Sequence, residues 1–289
     1  MQLERRLNKD LCLSKQNLNN QPINQFTMKN LITIVCLCVG FAMSAQVVNI
    51  TYVSVDRENS ETFLELHEKF TNLSISKDRT IVGGGMFAHA FAGDYTFAIY
   101  DFYANEQDLV NDPALADAAM QANVEALKLD DAAKEALMTE YQTYVGMYVH
   151  NHSDQIRQSR NLETMSFEAD GLDWSTQKVV VVSTYNTKWG KNRDFVDGIK
   201  NGSLKTLQES GHAVAAYASR HFYGSGADWH TYQFFNTWSD FAAYEEANLG
   251  AAMTEDDKKF WASIESHTDE ILTFIGGMNP ETKEFRYSK

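Results

Sequence analysis

With 289 residues, 44% of them hydrophobic and 12% aromatic, the chain can bury the core of one large domain or two smaller ones. Its formal charge is −14; residues 1–45 hold Arg5, Arg6, Lys9, Lys15 and Lys29 against Glu4 and Asp10, so the remainder carries 20 positive and 37 negative groups, a net −17. A surface that acidic repels phosphate backbones and anionic headgroups, which argues against nucleic acid and membrane surfaces as partners.

Residues 1–27 are polar, asparagine-rich and unpatterned, and read as a misassigned start, with translation beginning at Met28. Lys29 then precedes an apolar run over 31–43 that ends in Ser44-Ala45-Gln46. A basic residue, a short apolar stretch and small residues at its end predict a signal peptide over 28–45. The cut falls after Ala45, or after Ser44 with Ala42 at −3, and the product is exported, to the periplasm or beyond. Cys12, Cys36 and Cys38 all precede that cut, so the mature chain holds no disulfide and relies on core packing. No later run approaches the length of a membrane span, so no membrane insertion is expected.

Beyond residue 46 the chain repeats itself. His152-Ser153-Asp154-Gln155-Ile156 returns 115 residues later as His267-Thr268-Asp269-Glu270-Ile271, and Met138-Thr139-Glu140 returns as Met253-Thr254-Glu255. In chain order, 47–55 is rich in β-branched residues and predicts a strand, matched by 179–185 at a shift of 132. Phe63, Leu66, Phe70 and Leu73 mark one face of a helix, and Phe195, Ile199, Leu204 and Leu207 mark its counterpart. Two hairpins follow, 81–91 with 95–103 around Gly93-Asp94, and 213–223 with 229–238 around 224–228. A second helical region comes next. Asn111 to Ala136 adds an alanine-rich segment with Pro113 in its first turn, and Thr254 with Asp257 caps the later copy. The stripe Phe260, Ile264, His267, Ile271, Phe274, at spacings of four and three, predicts a helix stopped by Gly276-Gly277; Val145, Val149, His152 and Ile156 repeat it. The segments 164–169 and 282–287 are short enough to be closing edge strands.

Each copy therefore reads β-α-β-β-α-β, an antiparallel sheet of four strands with two helices on one face. The expected fold is α+β: two tandem ferredoxin-like repeats, over 46–169 and 178–289 with a linker at 170–177, whose bare sheet faces pack together as an intramolecular pseudo-dimeric α/β barrel. A higher oligomer stays open. On element order, duplication and length, residues 47–287 resemble the dimeric α/β-barrel superfamily, which includes antibiotic-biosynthesis monooxygenase-like, stress-responsive barrel and chlorite dismutase-like proteins. The resemblance implies a ligand or haem site between helices and sheet, and in the chlorite dismutase-like group an axial haem ligand from a helical histidine.

For chemistry, His152 and His267 stand on the apolar stripe and face the sheet. They are either buried histidines bonded to carbonyls or the lining of a helix–sheet cavity, as acid, base or ligand. On a helix Asp154 and Asp269, two residues on, point elsewhere. His67 on the first helix approaches the same cavity, with Ile199 as its counterpart, and His89 shares a strand face with Phe87 and Phe91. Trp229 and Tyr232 are available around a pocket in the second copy. One copy is then functional and the other structural. His150 and His152 diverge on a helix, so no metal site is expected. Gly83-Gly84-Gly85 lacks the end of a phosphate loop, and no nucleophile elbow or dinucleotide fingerprint is present. Three readings follow: a module binding a small apolar or aromatic molecule without a cofactor; a cofactor-free monooxygenase-like or haem-binding enzyme; and a structural or assembly protein.

Overall fold

In β1 (Val47–Val53) successive side chains alternate, Val48 and Ile50 to one side and Val47, Thr51 and Val53 to the other, and all five are buried. A strand buried on both faces lies between two layers. The computed structural model, which describes residues 46–289 apart from 92, makes one layer a shell of helices and the other the inside of a closed barrel.

The first repeat continues with α1 (Ser60–Leu73), β2 (Ile81–His89), β3 (Phe97–Tyr103), α2 (Glu106–Ala126), α3 (Asp131–His150) and β4 (His152–Gln158), followed by the short β5 (Phe167–Glu168). The second has β6 (Lys178–Thr187), α4 (Asn192–Gly198), α5 (Leu204–Ser210), β7 (Ala213–Tyr223), β8 (Trp229–Phe235), α6 (Trp238–Asn248), α7 (Glu255–Ser263) and β9 (Ile264–Met278), then β10 (Phe285–Tyr287). The strands run β2-β3-β1-β4-β7-β8-β6-β9, and β9 returns to β2, so eight antiparallel strands close on themselves. Two ferredoxin-like repeats thus form one pseudo-dimeric barrel, as the duplicated sequence predicts. Each closing strand joins the halves: β4 pairs with β1 of its own repeat and β7 of the other, and β9 pairs with β6 and β2. The two registers match residue for residue, with His152 opposite Val53 and His267 opposite Tyr185. Phe63 and Phe195 are likewise equivalent, both fully buried on the first helix of their repeat, against Phe97 and Trp229.

Helix periodicity is realised in α1, where Phe63, Leu66 and Phe70 are buried, each contributing about 1.5–3 kcal/mol relative to exposure. In the second repeat α4 and α5 are joined by one wide π turn over Ile199–Ser203. Gly198 precedes it because α7 passes there: a Cβ on Gly198 would lie 2.6 Å from the Phe260 Cβ. Alanine gains about 1 kcal/mol over glycine in helix propensity, but the overlap costs about 1–3 kcal/mol. Gly198→Ala is therefore expected to lower the urea midpoint, and a raised midpoint would show that α7 yields without strain.

Three local expectations are corrected. The stripe from Phe260 to Phe274 is not one helix: α7 stops at Ser263, and β9 begins at Ile264. Spacings of four and three cannot exclude a strand, because alternation over the same residues sends Thr268, Glu270, Leu272 and Phe274 to one side and His267, Asp269 and Ile271 to the other. The same holds in the first copy, where α3 ends at His150 and β4 starts at His152. Accordingly 164–169 and 282–287 supply only the additional strands β5 and β10, on β7 and β9. Finally, Pro113 is interior to α2 and not in its first turn, because Asn105 caps the helix earlier by accepting from the Asp108 amide. The signal peptide, its cut and all three cysteines lie outside the described residues. Among the described residues no helix is long and apolar enough to cross a membrane.

Candidate functional site

The inside of the barrel is graded. Along β9 the inward positions run Ser266, Thr268, Glu270, Leu272, Phe274, and along β6 they run Asn186, Thr184, Val182, Val180. The apolar ends meet Phe87, Tyr100 and Phe234, and Trp174 of the linker packs edge-on against Phe234 and Phe274. At the other end polar groups pair across the strands: Thr184 Oγ1 and Thr268 Oγ1 are 2.6 Å apart, and Asn186 Nδ2 donates to Ser266 Oγ at 2.8 Å. Outside that rim lies an open cleft of about 560 Å³ lined by Asn186, Thr187, Trp189, Asp228, Glu265 and Ser266, with the Trp189 indole fully exposed.

Between the two regimes sits Glu270. Tyr95 donates its hydroxyl to Glu270 Oε2 at 2.6 Å, and His89 Nε2 lies 3.4 Å from the same oxygen. The other imidazole nitrogen, Nδ1, lies 2.7 Å from the Phe91 carbonyl oxygen and 3.3 Å from the Phe91 amide nitrogen. The Glu270 side chain keeps a quarter of its surface exposed, so the group meets solvent at the barrel mouth. Tyr52 packs on Tyr95 with ring centroids 4.7 Å apart. Burial first, and the neighbouring Glu270 charge after it, push the Tyr52 and Tyr95 hydroxyls well above the ordinary phenol range, so both remain donors.

Arg157 lies on the opposite wall and is fully buried. Its Nε donates to Ser219 Oγ at 2.8 Å, Nη1 to the Ala227 carbonyl at 3.0 Å, and Nη2 to the Ser219 and Asp228 carbonyls at 3.2 and 3.3 Å. Each acceptor is neutral. Burial lowers the guanidinium's pKa from its ordinary value, and its charge depresses that of His230, whose own burial is the larger cause. Ser219 Oγ and His230 Nδ1 both lie within hydrogen-bond distance of the Tyr232 hydroxyl, at 3.1 and 3.2 Å. Tyr232 and Tyr100, equivalent positions of the two repeats, meet edge to face with centroids 5.8 Å apart.

The residues singled out by sequence separate into two groups. His89 and Tyr232 face the barrel interior. His67, His152, His267 and Trp229 lie on its outer side and are not brought together. His67 is buried among Phe63, Tyr144 and Phe285, with Nδ1 3.0 Å from the Tyr144 hydroxyl. Trp229 is buried under α4 and donates to Asn192 Oδ1 at 2.8 Å. His267 stacks on Tyr185 at 4.6 Å and reaches Asp269 at 2.9 Å; His152 reaches Asp154 at 3.6 Å. On a strand, residues two apart share a face, so each histidine faces the aspartate that helical geometry would have turned away. Glu270 and Arg157 were missed. The signal was present, since both stand in the duplicated motif's alternation, but a helical reading hides it.

An axial haem ligand from a helix finds no support in this arrangement. His152 and His267 stand on strands with Nε2 turned to a carboxylate, and His67, the buried histidine on α1, lies outside the barrel.

No family model matches the chain, and no curated protein matches it by sequence. Solved structures do match in fold. An anthrone oxidase-like protein superposes with a TM-score of 0.55 at 10% identity, over 83% of this chain and 95% of the other. A "putative monooxygenase" from Fusobacterium nucleatum subsp. nucleatum does so with a TM-score of 0.53 at 11% identity, over 85% and 99%. A chlorite dismutase variant from Candidatus Nitrospira defluvii reaches 0.49 at 8% identity, over 81% and 93%. The chain shares the dimeric α/β-barrel fold of the first two, and at such identities the likeness extends to fold alone.

Proposed function

We propose that the chain binds a small aromatic molecule bearing an ionisable hydroxyl or an acidic C–H, and that it does so in the polar half of the barrel and not between helices and sheet. The observation that carries this reading is Glu270: a partly exposed carboxylate, fixed by Tyr95 at 2.6 Å and flanked by His89 at 3.4 Å, over an aromatic interior. Such a carboxylate can accept the ligand's proton while Tyr95 holds it in place, Tyr52 supplies a hydroxyl donor and the deeper rings supply apolar contact. Titration of intrinsic fluorescence with 1-naphthol should saturate. Glu270→Gln, which preserves shape and removes charge, should weaken binding about tenfold. Unchanged affinity in that variant would place the ligand elsewhere.

A second reading extends the first to oxidation, and what favours it is the fold shared with the anthrone oxidase-like protein. Anthrone and O₂ would give anthraquinone and water: one oxygen atom becomes the new carbonyl, and the other leaves as water with the two methylene hydrogens. Glu270 would remove the first of these protons. Oxygen uptake with anthrone should then fall about 100-fold or more in Glu270→Gln. Binding without oxygen uptake would retain the first reading and remove the second.

We also propose that the chain is exported. Lys29, the apolar run over 31–43 and Ser44-Ala45 support this. Sequencing of the mature N-terminus should find Gln46 or Ala45, and a cytoplasmic protein retaining Met28 would refute it.

A further inference from the structure

The two repeats lock the same turn in different ways. After β1 the Val55 amide donates to Thr96 Oγ1 at 3.1 Å; at a shift of 132, after β6, the Thr187 amide donates to Asp228 Oδ2 at 2.8 Å, joined by the Thr187 hydroxyl at 2.9 Å. A threonine hydroxyl therefore suffices for the fold, and the aspartate adds a second carboxylate oxygen, Oδ1, that makes no hydrogen bond among the described residues. Two residues past the lock the repeats diverge again, since Arg57 stands where the second copy has Trp189. At the shift of 115, Glu265 and Ser266 replace His150 and Asn151. All four replacements line one feature, the open cleft of about 560 Å³ outside the barrel rim.

Trp189 is the anomaly of that cleft. Its side chain is fully exposed, although the turn that carries it is firmly built. Lys188 donates its amide to the Ser263 carbonyl at 2.8 Å and its Nζ to the Ala262 carbonyl at 2.9 Å, the Lys191 amide closes on the Lys188 carbonyl at 2.9 Å, and Gly190 takes the left-handed conformation with φ of 76°. The indole thus presents an apolar plane to water from a fixed position. Around it the polar groups are already oriented. The Asp228 amide donates to Asn186 Oδ1 at 3.3 Å and Asn186 Nδ2 to Ser266 Oγ at 2.8 Å, which leaves one N–H of that amide, the Ser266 hydroxyl, Asp228 Oδ1 and the exposed Glu265 carboxylate for a ligand. Such a set is rich in acceptors, which suits a molecule with several hydroxyl groups, and its two carboxylates repel anions. One flat ring, with no second aromatic in the lining among the described residues, is a platform and not a cage, so it favours the C–H face of a sugar ring over a quaternary cation.

We infer that this cleft is a saccharide-binding site, in which a neutral sugar ring stacks on Trp189 while its hydroxyls donate to Asp228 and Glu265 and accept from Asn186. Titration calorimetry of the full chain with cellotetraose and with maltotetraose tests it, and at least one of the two should bind. Trp189→Ala should weaken that binding at least about tenfold while melting within about 2 °C of the wild type, because the ring it removes is fully exposed. Asp228→Thr, an exchange that Thr96 shows the fold accepts, should weaken it by a similar factor, and Trp189→Phe, which retains a ring, should lose less. The site is separate from Glu270, so Glu270→Gln should bind the saccharide as the wild type does. Binding of neither tetrasaccharide, or binding unaltered in Trp189→Ala, would overturn the site. So would a loss in Glu270→Gln equal to that in Trp189→Ala, which would move the sugar into the barrel, or binding of tetramethylammonium in place of both sugars, which would make the cleft a cation site.

Discussion

Replacing Asp112 by alanine is expected to lower the free energy of unfolding by about 3–5 kcal/mol, because it leaves a buried guanidinium unpaired. Asp112 is 1% exposed, and Arg79 grips it at both oxygens, Nε to Oδ1 at 2.9 Å and Nη2 to Oδ2 at 2.6 Å. The backbone amides of Thr80 and Ile81 donate to Oδ1 at 2.8 and 3.1 Å. Burial works against the charge of this carboxyl, yet the Arg79 bonds and the two amides hold it below the usual carboxylate range. The pair clamps α2 to the start of β2. Asp112→Asn keeps the shape and part of the bonding and should lose less. Urea unfolding at pH 7 measures both, and a loss below about 1 kcal/mol in the alanine variant would mean that water reaches Arg79 readily.

Acid should find its weak point at His67. Burial pushes this imidazole down to about 4 from 6.5. The folded state thus refuses a proton that the unfolded chain accepts, so the neutral histidine's contribution is complete above pH 6.5 and is lost as pH falls through 4. A shift of that size corresponds to about 3 kcal/mol over the window. His67→Ile, which copies Ile199 of the other repeat, should be about 1 kcal/mol less stable at pH 7 through loss of the Tyr144 bond, and should overtake the wild type just below about pH 6. Asp101 acts in the opposite sense: burial raises it to about 6, so its unfavourable charge weakens the fold as pH rises from about 4 through 6. Comparing the two proteins by urea midpoint from pH 7 to 4 isolates the histidine, and parallel curves would contradict its buried neutral state.

Much of this architecture was legible from residue types. Val47 and its neighbours, the α1 stripe and the two hairpins declare their periods openly, and the recurring motifs reveal the duplication. What escaped was the identity of one element. The segment from Phe260 onward crosses from helix to strand at Ile264, and its apolar residues satisfy both periods, so the sequence pattern does not say which wins. Pairing with β6 and β2 decides it, and that is long-range information. The site followed the same fate. His267 and His152 attracted attention as rare residues at repeated positions, yet the alternation that turns them outward turns Glu270 and Arg157 inward. The neighbours supplied by Tyr95 and Ala227 come from loops whose placement no local period encodes.

The exchange of closing strands also governs how the chain must be assembled. As synthesis proceeds, β4 has β1 to pair with, but its other edge waits for β7, and that of β2 waits for β9 near the end of the chain. Until β9 arrives, the edges of β2 and β6 that it will join present unpaired amides and carbonyls, the condition under which strands of different molecules join. Closure couples residues far apart in sequence, as in Gly85 with Gly277, so folding should be slow and completed in a late step. A nascent chain of this design is safest when kept extended until it is whole.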